Sequence, residues 1–106
     1  MVRSFLLTTA LLLLGTWVIG QTALKGKVTE PAGGAFGAFV KVFKGTNLVT
    51  GAQTDFDGNY YISLDPGSYD VEFSYVGWTS EKITGVVVMN GKINSLDKQF
   101  KSDDQG

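Results

Sequence analysis

From residue 69 to residue 75 the chain alternates without a fault. Tyr69, Val71, Phe73 and Tyr75 are aromatic or branched, and Asp70, Glu72 and Ser74 stand between them. A period of two belongs to an extended strand with one buried and one solvated face; no helix puts every second residue on one side. The run lies between Asp65-Pro66-Gly67-Ser68 and Gly77. Pro and Gly at the two central positions predict a type II turn, since Pro presets φ and Gly accepts positive φ. Residues 59–64 repeat the alternation, with Tyr60, Ile62 and Leu64 inward and Tyr61 and Ser63 outward. Before them, Asp55-Phe56-Asp57-Gly58 predicts a hairpin turn.

The same period recurs along the chain. Residues 24–29 place Leu24, Gly26 and Val28 on one face. In residues 39–43, Phe39, Lys41 and Phe43 alternate with Val40 and Val42, and the lysine between two phenylalanines assigns the valines to the core. Residues 48–54 make a weaker strand, loosened by Gly51. Residues 82–89 centre on Val86-Val87-Val88, and residues 92–100 are expected to bury Ile93 and Leu96. Pro31 to Gly34 and Lys44-Gly45-Thr46-Asn47 read as turns. Asn90-Gly91 predicts a type I′ hairpin, which needs positive φ at both positions. About seven short strands between turn signals predict an all-β, two-layer antiparallel β-sandwich rather than βαβ units. Residues 101–106 form a polar tail expected to fray.

Residues 1–20 differ from the rest. Arg3 is the only charge before Lys25, an apolar run follows from Phe5, and Gly20 precedes Gln21. A positive start, a short apolar middle and a small residue before the cut predict a signal peptide over residues 1–20. The competing membrane span needs about 20 predominantly apolar residues; residues 5–19 are fewer and include Thr8, Thr9, Gly15 and Thr16. The expected domain is therefore residues 21–100, a small sandwich with a limited core and no membrane span after cleavage. The chain has no Cys, so no disulfide supports this fold and no lipid can be attached to one. From residue 21 onward there are eight lysines and ten acids, a formal charge of −2 without a basic cluster. Nucleic acid is not an expected partner, because its phosphates need clustered Lys and Arg.

Six pieces resemble a known family in order and spacing. They are Gly26-Lys27-Val28, Gly37-Ala38-Phe39-Val40-Lys41-Val42, Lys44-Gly45-Thr46, Thr54-Asp55-Phe56-Asp57-Gly58-Asn59-Tyr60, Pro66-Gly67-Ser68-Tyr69-Asp70-Val71 and Ser74-Tyr75-Val76-Gly77-Trp78. Together they resemble the carboxypeptidase regulatory-like domain, a transthyretin-like sandwich. They are similar also to the N-terminal extension found ahead of the plug in many SusC-type TonB-dependent outer-membrane transporters. The resemblance covers residues 24 to about 100 and departs at Pro31-Ala32-Gly33-Gly34-Ala35-Phe36, where the family has a tighter turn. It implies a non-catalytic accessory or interaction role and supplies no catalytic residues. With residue 106 the last one, the expectation is a free-standing module or an orphaned N-terminal fragment of such a transporter, the front piece of a broken gene.

Chemistry points the same way. Without His or Cys, the commonest general base and the best soft nucleophile are missing, and the usual zinc sites cannot form. No enzyme activity, cofactor or metal is expected. Asp55, Asp57 and Asn59 alternate as at the start of a calcium loop, but the twelfth position, where such a loop needs an acid, is Pro66. Their expected role is to hold a turn through local backbone hydrogen bonds. The candidate ligand or partner surface is Tyr61, Trp78, Phe39 and Phe43, since aromatics supply large rigid contact area. The expected partner is an envelope protein met through edge strands or end loops, or alternatively a glycan bound by Tyr61, Trp78 and one of the Phe residues. Lys82 and Lys92 are the expected guards of the outer strands. The expected location is outside the cytoplasm: periplasmic, outer-membrane-associated or extracellular. Mass spectrometry of the exported protein is expected to find Gln21 as its first residue; an intact Met1 contradicts cleavage.

Overall fold

A computed structural model describes residues 20–102; the expected signal peptide, apart from Gly20, and residues 103–106 of the polar tail lie outside the described residues. Every element within them is a strand: β1 (Ala23–Glu30), β2 (Gly33–Gly34), β3 (Phe39–Lys44), β4 (Asn47–Gln53), β5 (Asn59–Ser63), β6 (Gly67–Ser74), β7 (Glu81–Val88), β8 (Ile93–Ser95) and β9 (Lys98–Gln99). They form two sheets. In the first, β1 is central: antiparallel β5 and β2 take one edge, and β8 and β9 pair in parallel along the other. The second has the order β4-β3-β6-β7, all antiparallel.

The alternation read from the sequence sets the inner faces. Leu24, Val28, Tyr60 and Ile62 of the first sheet meet Val40, Val42, Tyr69, Val71, Phe73 and Val88 of the second, all buried. Tyr60 and Phe73 touch edge to face across the layers, with ring centroids 6.0 Å apart. Phe100, just past β9, closes one end of this core against Tyr75 and Trp78. Two glycines make the close approaches possible. A Cβ on Gly26 would lie 1.8 Å from the carbonyl oxygen of Leu96 and 2.9 Å from the Tyr60 ring. One on Gly58, at φ 86°, would lie 2.1 Å from the carbonyl oxygen of Val28. In the space left at Gly26, the Tyr60 hydroxyl donates to the Leu96 carbonyl.

Several local expectations fail for reasons of topology. The described residues form nine strands where about seven were expected, a small difference that arises because Gly33–Gly34 pairs with the end of β1 and the expected last strand is split. That strand was expected to return from Asn90-Gly91 as a hairpin. Instead the chain changes sheet there, and β8 runs parallel to β1. No non-glycine residue among those described has positive φ, so Asn90 does not make a type I′ turn. Asn94 fixes the crossing: its amide donates to the carbonyls of Ala23, Met89 and Lys92, while its Oδ1 accepts from Met89 N–H. Asn94 pairs beside inward Leu24, which turns Ile93 outward; Ile93, expected in the core, is 48% exposed. Between β8 and β9, Asp97 Oδ1 accepts the Lys27 N–H at 2.8 Å, interrupting the strand.

The two turns around β5 are also crossings between sheets rather than hairpins. At Asp65-Pro66-Gly67-Ser68 no type II turn forms: Gly67 has φ 157° and already begins β6. The crossing is held by the Tyr69 hydroxyl, which donates to the Asp65 carbonyl at 2.6 Å, a tyrosine-corner arrangement of the kind seen in other sandwiches.

Two consequences are measurable. Gly26→Ala forces backbone and a packed ring apart, so urea denaturation is expected to show a loss of about 2 kcal/mol or more, the range for overpacking a close-fitted core. Burial first, and the negative charge of Asp97 second, raise the pKa of Tyr60. The unfolded chain therefore ionises first as pH rises through about 10, the ordinary tyrosine value, and stability present below that pH is lost above it. Urea melts between about pH 8 and 11 are expected to show a steeper alkaline loss for the natural chain than for Tyr60→Phe.

Candidate interaction surfaces

The turn after β4 is built by its own side chains. Asp55 Oδ1 accepts the N–H groups of Asp57 and Asn59 at 3.0 and 2.9 Å. Gly58 N–H returns to the Asp55 carbonyl at 3.0 Å. The Asp55 carboxylate thus orders backbone, and no group of three or more His, Cys, Asp or Glu able to hold a metal exists among the described residues. Thr54 ties this turn to the loop before β3: its buried hydroxyl accepts the Ala38 N–H at 2.8 Å and donates to the Ala35 carbonyl at 2.5 Å. The two loops so joined bring Phe36 and Phe56 together. Their rings stack 4.4 Å apart and 3° from parallel, although they are 53% and 82% exposed. Neither was picked out from the sequence, because each sits in a loop with no period and the contact exists only once Thr54 joins the loops.

The four residues picked out from the sequence lie on three separate surfaces. Tyr61 faces outward from β5 on the first sheet and donates its hydroxyl to Gln21 Oε1 at 2.5 Å. Phe39 and Phe43 face outward from β3 on the second sheet, with Lys82 Nζ 4.5 Å from the Phe43 ring centroid. The surface expected to join Tyr61 to Phe39 or Phe43 does not form, because their strands belong to opposite layers. Trp78 is half-buried at the end of the sandwich, 5.8 Å from the Phe100 ring and packed on the core. The expected glycan platform of Tyr61, Trp78 and a Phe is therefore not assembled.

Around Tyr61 the first sheet has an ordered outer face. Pairing sets Tyr61, Lys25 and Ser95 in one row across β5, β1 and β8, and Asn59 opposite Lys27 in the next. Asp97 borders the same shallow cleft, of about 370 Å³.

The two long sides of the sandwich differ. On one, Lys98 of β9 forms an ion pair with Glu81 of β7, linking the sheets. The other is bounded by β4 and β5, neither of which carries a charged residue. A cleft of about 420 Å³ opens there, lined by Val49 and Thr50 on one side and Ser63, Leu64 and Asp65 on the other. β4 is the edge of its sheet, and Leu48 and Val49 are 60% and 46% exposed. Thr54 N–H bonds to the Ala38 carbonyl at 2.9 Å. By antiparallel alternation Ala52 and Thr50 then bond to Val40 and Val42, while the N–H and C=O of Gly51 and Gln53 point away from β3. Of the expected guards, Lys82 does lie on the opposite edge strand β7, and Lys92 precedes β8; β4 has none.

The model of the carboxypeptidase regulatory-like domain family matches residues 23–101. No curated protein matches the chain. Among solved structures it is similar to a candidate carbohydrate-binding protein from Bacteroides uniformis, at 18% identity and a TM-score of 0.59, over 76% of this chain and 41% of that one. It is also similar to a chain of Coh3ScaB–XDoc_M1ScaA, an N-terminal interface mutant of a type II cohesin–X-dockerin complex from Acetivibrio cellulolyticus. That match has 20% identity and a TM-score of 0.58, over 79% of this chain and 55% of that one. A DUF3823 family protein from Bacteroides ovatus matches at 17% identity and a TM-score of 0.51, over 76% and 44%. The chain thus spans 41% to 55% of the length of these structures, and what it shares with them is the fold. With the strands, the Thr54-Asp55 turn and the Tyr69 corner all inside the matched residues, the chain belongs to the carboxypeptidase regulatory-like domain family.

Proposed function

We propose that the protein is an exported, non-enzymatic interaction module of the cell envelope. Its partner is a protein that adds an extended segment to β4. The observation that carries this reading is the β4 edge: seven residues without a charge or a proline, two exposed aliphatic side chains, and unpaired backbone groups at Gly51 and Gln53. A monomeric sandwich ordinarily blunts such an edge with charge, proline or a twist. The shift in register opposite Val42 and Phe43 leaves Val49 without a partner on β3, while β4 stays in regular register from Thr50 to Gln53. Strand addition takes affinity from backbone hydrogen bonds and specificity from alternate side chains, and the cleft beside Val49 and Thr50 is placed to receive one. The absence of His and Cys, and the use of Asp55 as a turn former, support a role without catalysis.

Affinity capture from an envelope fraction, with Leu48→Lys/Val49→Lys as the comparison bait, tests the edge. The double variant is expected to weaken capture about tenfold or more while changing stability by no more than about 0.5 kcal/mol, as at exposed positions. Hydrogen exchange on the complex is expected to slow at the amides of Gly51 and Gln53, which are free to exchange in the isolated protein, with little change at Thr50 and Ala52. Equal capture by both baits, or protection confined to another surface, contradicts strand addition.

A further inference from the structure

The outer face of the first sheet has a chemistry of its own, unrelated to the β4 edge. Lys25 and Lys27 stand on the same face of β1, about 7 Å apart along the strand. Both are exposed, and neither is engaged in an ion pair among the described residues. The acid in the cleft, Asp97, has Oδ1 committed to the Lys27 N–H at 2.8 Å. On one flank lies Tyr61, directly opposite Lys25; its hydroxyl reaches Gln21, four residues back along the chain from Lys25. Tyr61 remains 46% exposed, so its ring is open to contact from solvent. Asn59 and Ser95 complete the rim with an amide and a hydroxyl.

We propose that this face binds an acidic sugar, a uronic-acid oligosaccharide, with one sugar ring over Tyr61 and a carboxylate held between Lys25 and Lys27. An aromatic face offers apolar contact to the C–H side of a sugar ring. Two ammonium groups without acidic partners offer charge-assisted hydrogen bonds to one carboxylate. The amide of Asn59, the hydroxyl of Ser95 and the second oxygen of Asp97 have donors and acceptors for sugar hydroxyls. The cleft of about 370 Å³ lies in the range of small-ligand sites. An acidic peptide fits this face less well. β1 is paired on both edges, so the middle of the sheet has no backbone groups to offer an extended chain, and all recognition there must come from side chains.

Calorimetric titration of the protein with tetragalacturonate and with tetramannuronate tests the proposal, with the methyl ester of tetragalacturonate and with tetraglutamate as comparisons. The expected result is saturable binding of at least one uronate that weakens with added salt. It should fall about tenfold or more in Lys25→Gln/Lys27→Gln and in Tyr61→Ala, the scale of a lost charge-assisted contact. The ester is expected to bind at least about tenfold more weakly than its acid on the same grounds. All three side chains are exposed, so melting curves of these variants should match the natural chain. Leu48→Lys/Val49→Lys is expected to bind the sugar unchanged, which separates this site from the β4 edge. Absence of binding to both uronates, equal binding of the ester or of tetraglutamate, or unchanged binding in the lysine variant overturns the proposal.

Discussion

The first sheet depends on β1, since β2, β5, β8 and β9 all pair with it and with no other strand. The approach of the segment joining β8 and β9 depends on Gly26 having no side chain. The Leu96 carbonyl comes close enough to accept from Tyr60 across the space a Cβ would fill. The same contact lets β8 and β9 lie against β1 in parallel, an orientation that no tight turn can produce. The chain supplies it by sending β7 into the other sheet first and bringing β8 back. Without disulfides, this pairing and the packing of Phe100 against Tyr75 and Trp78 hold the end of the chain in place.

The parts of this fold legible in the sequence are those decided by local period. Val40 and Val42, Tyr60 and Ile62, and Tyr69, Val71 and Phe73 are inward as their alternation requires, because a strand with one face in a core cannot slip by one residue without exposing every one of them. Turn residues were legible as breaks but not as connections. Asp65-Pro66-Gly67-Ser68 and Asn90-Gly91 have the composition of tight turns, yet each leads from one sheet to the other. What directs them is long-range or built by side chains: Tyr69 bonding back to Asp65, and Asn94 bonding to Ala23 and Met89. Ile93 was misplaced for the same reason, since its partner strand and not its own sequence decides which way it faces.

The candidate surfaces were less legible than the core. Alternation predicts that Tyr61 and Phe39 face outward, and both do, but it says nothing about which layer each belongs to. Nothing in the sequence signals what lies beside Lys25 and Lys27; the pairing of β1 sets them next to Tyr61 and Asn59. The Phe36 and Phe56 stack is the extreme case, formed by two loops that meet through the buried hydroxyl of Thr54.

The unequal sides of the sandwich connect these surfaces to the way the fold is closed. Glu81 and Lys98 clip β7 to β9, where the chain has returned from the second sheet and its last strands need holding. No such link is needed between β4 and β5, because the Asp55 turn already joins them covalently and through the Asp55 carboxylate, which accepts the Asn59 N–H. That side can therefore stay open without loosening the frame. The outer face of the first sheet is freed by a similar logic: with β1 paired along both edges, its lysines have no structural duty. Edge and face then differ in what they can recognise. The β4 edge presents backbone groups in a line and almost no charge, which suits an extended chain. The β1 face presents charge and an aromatic ring with no free backbone, which suits a ligand that brings its own carboxylate and hydroxyls.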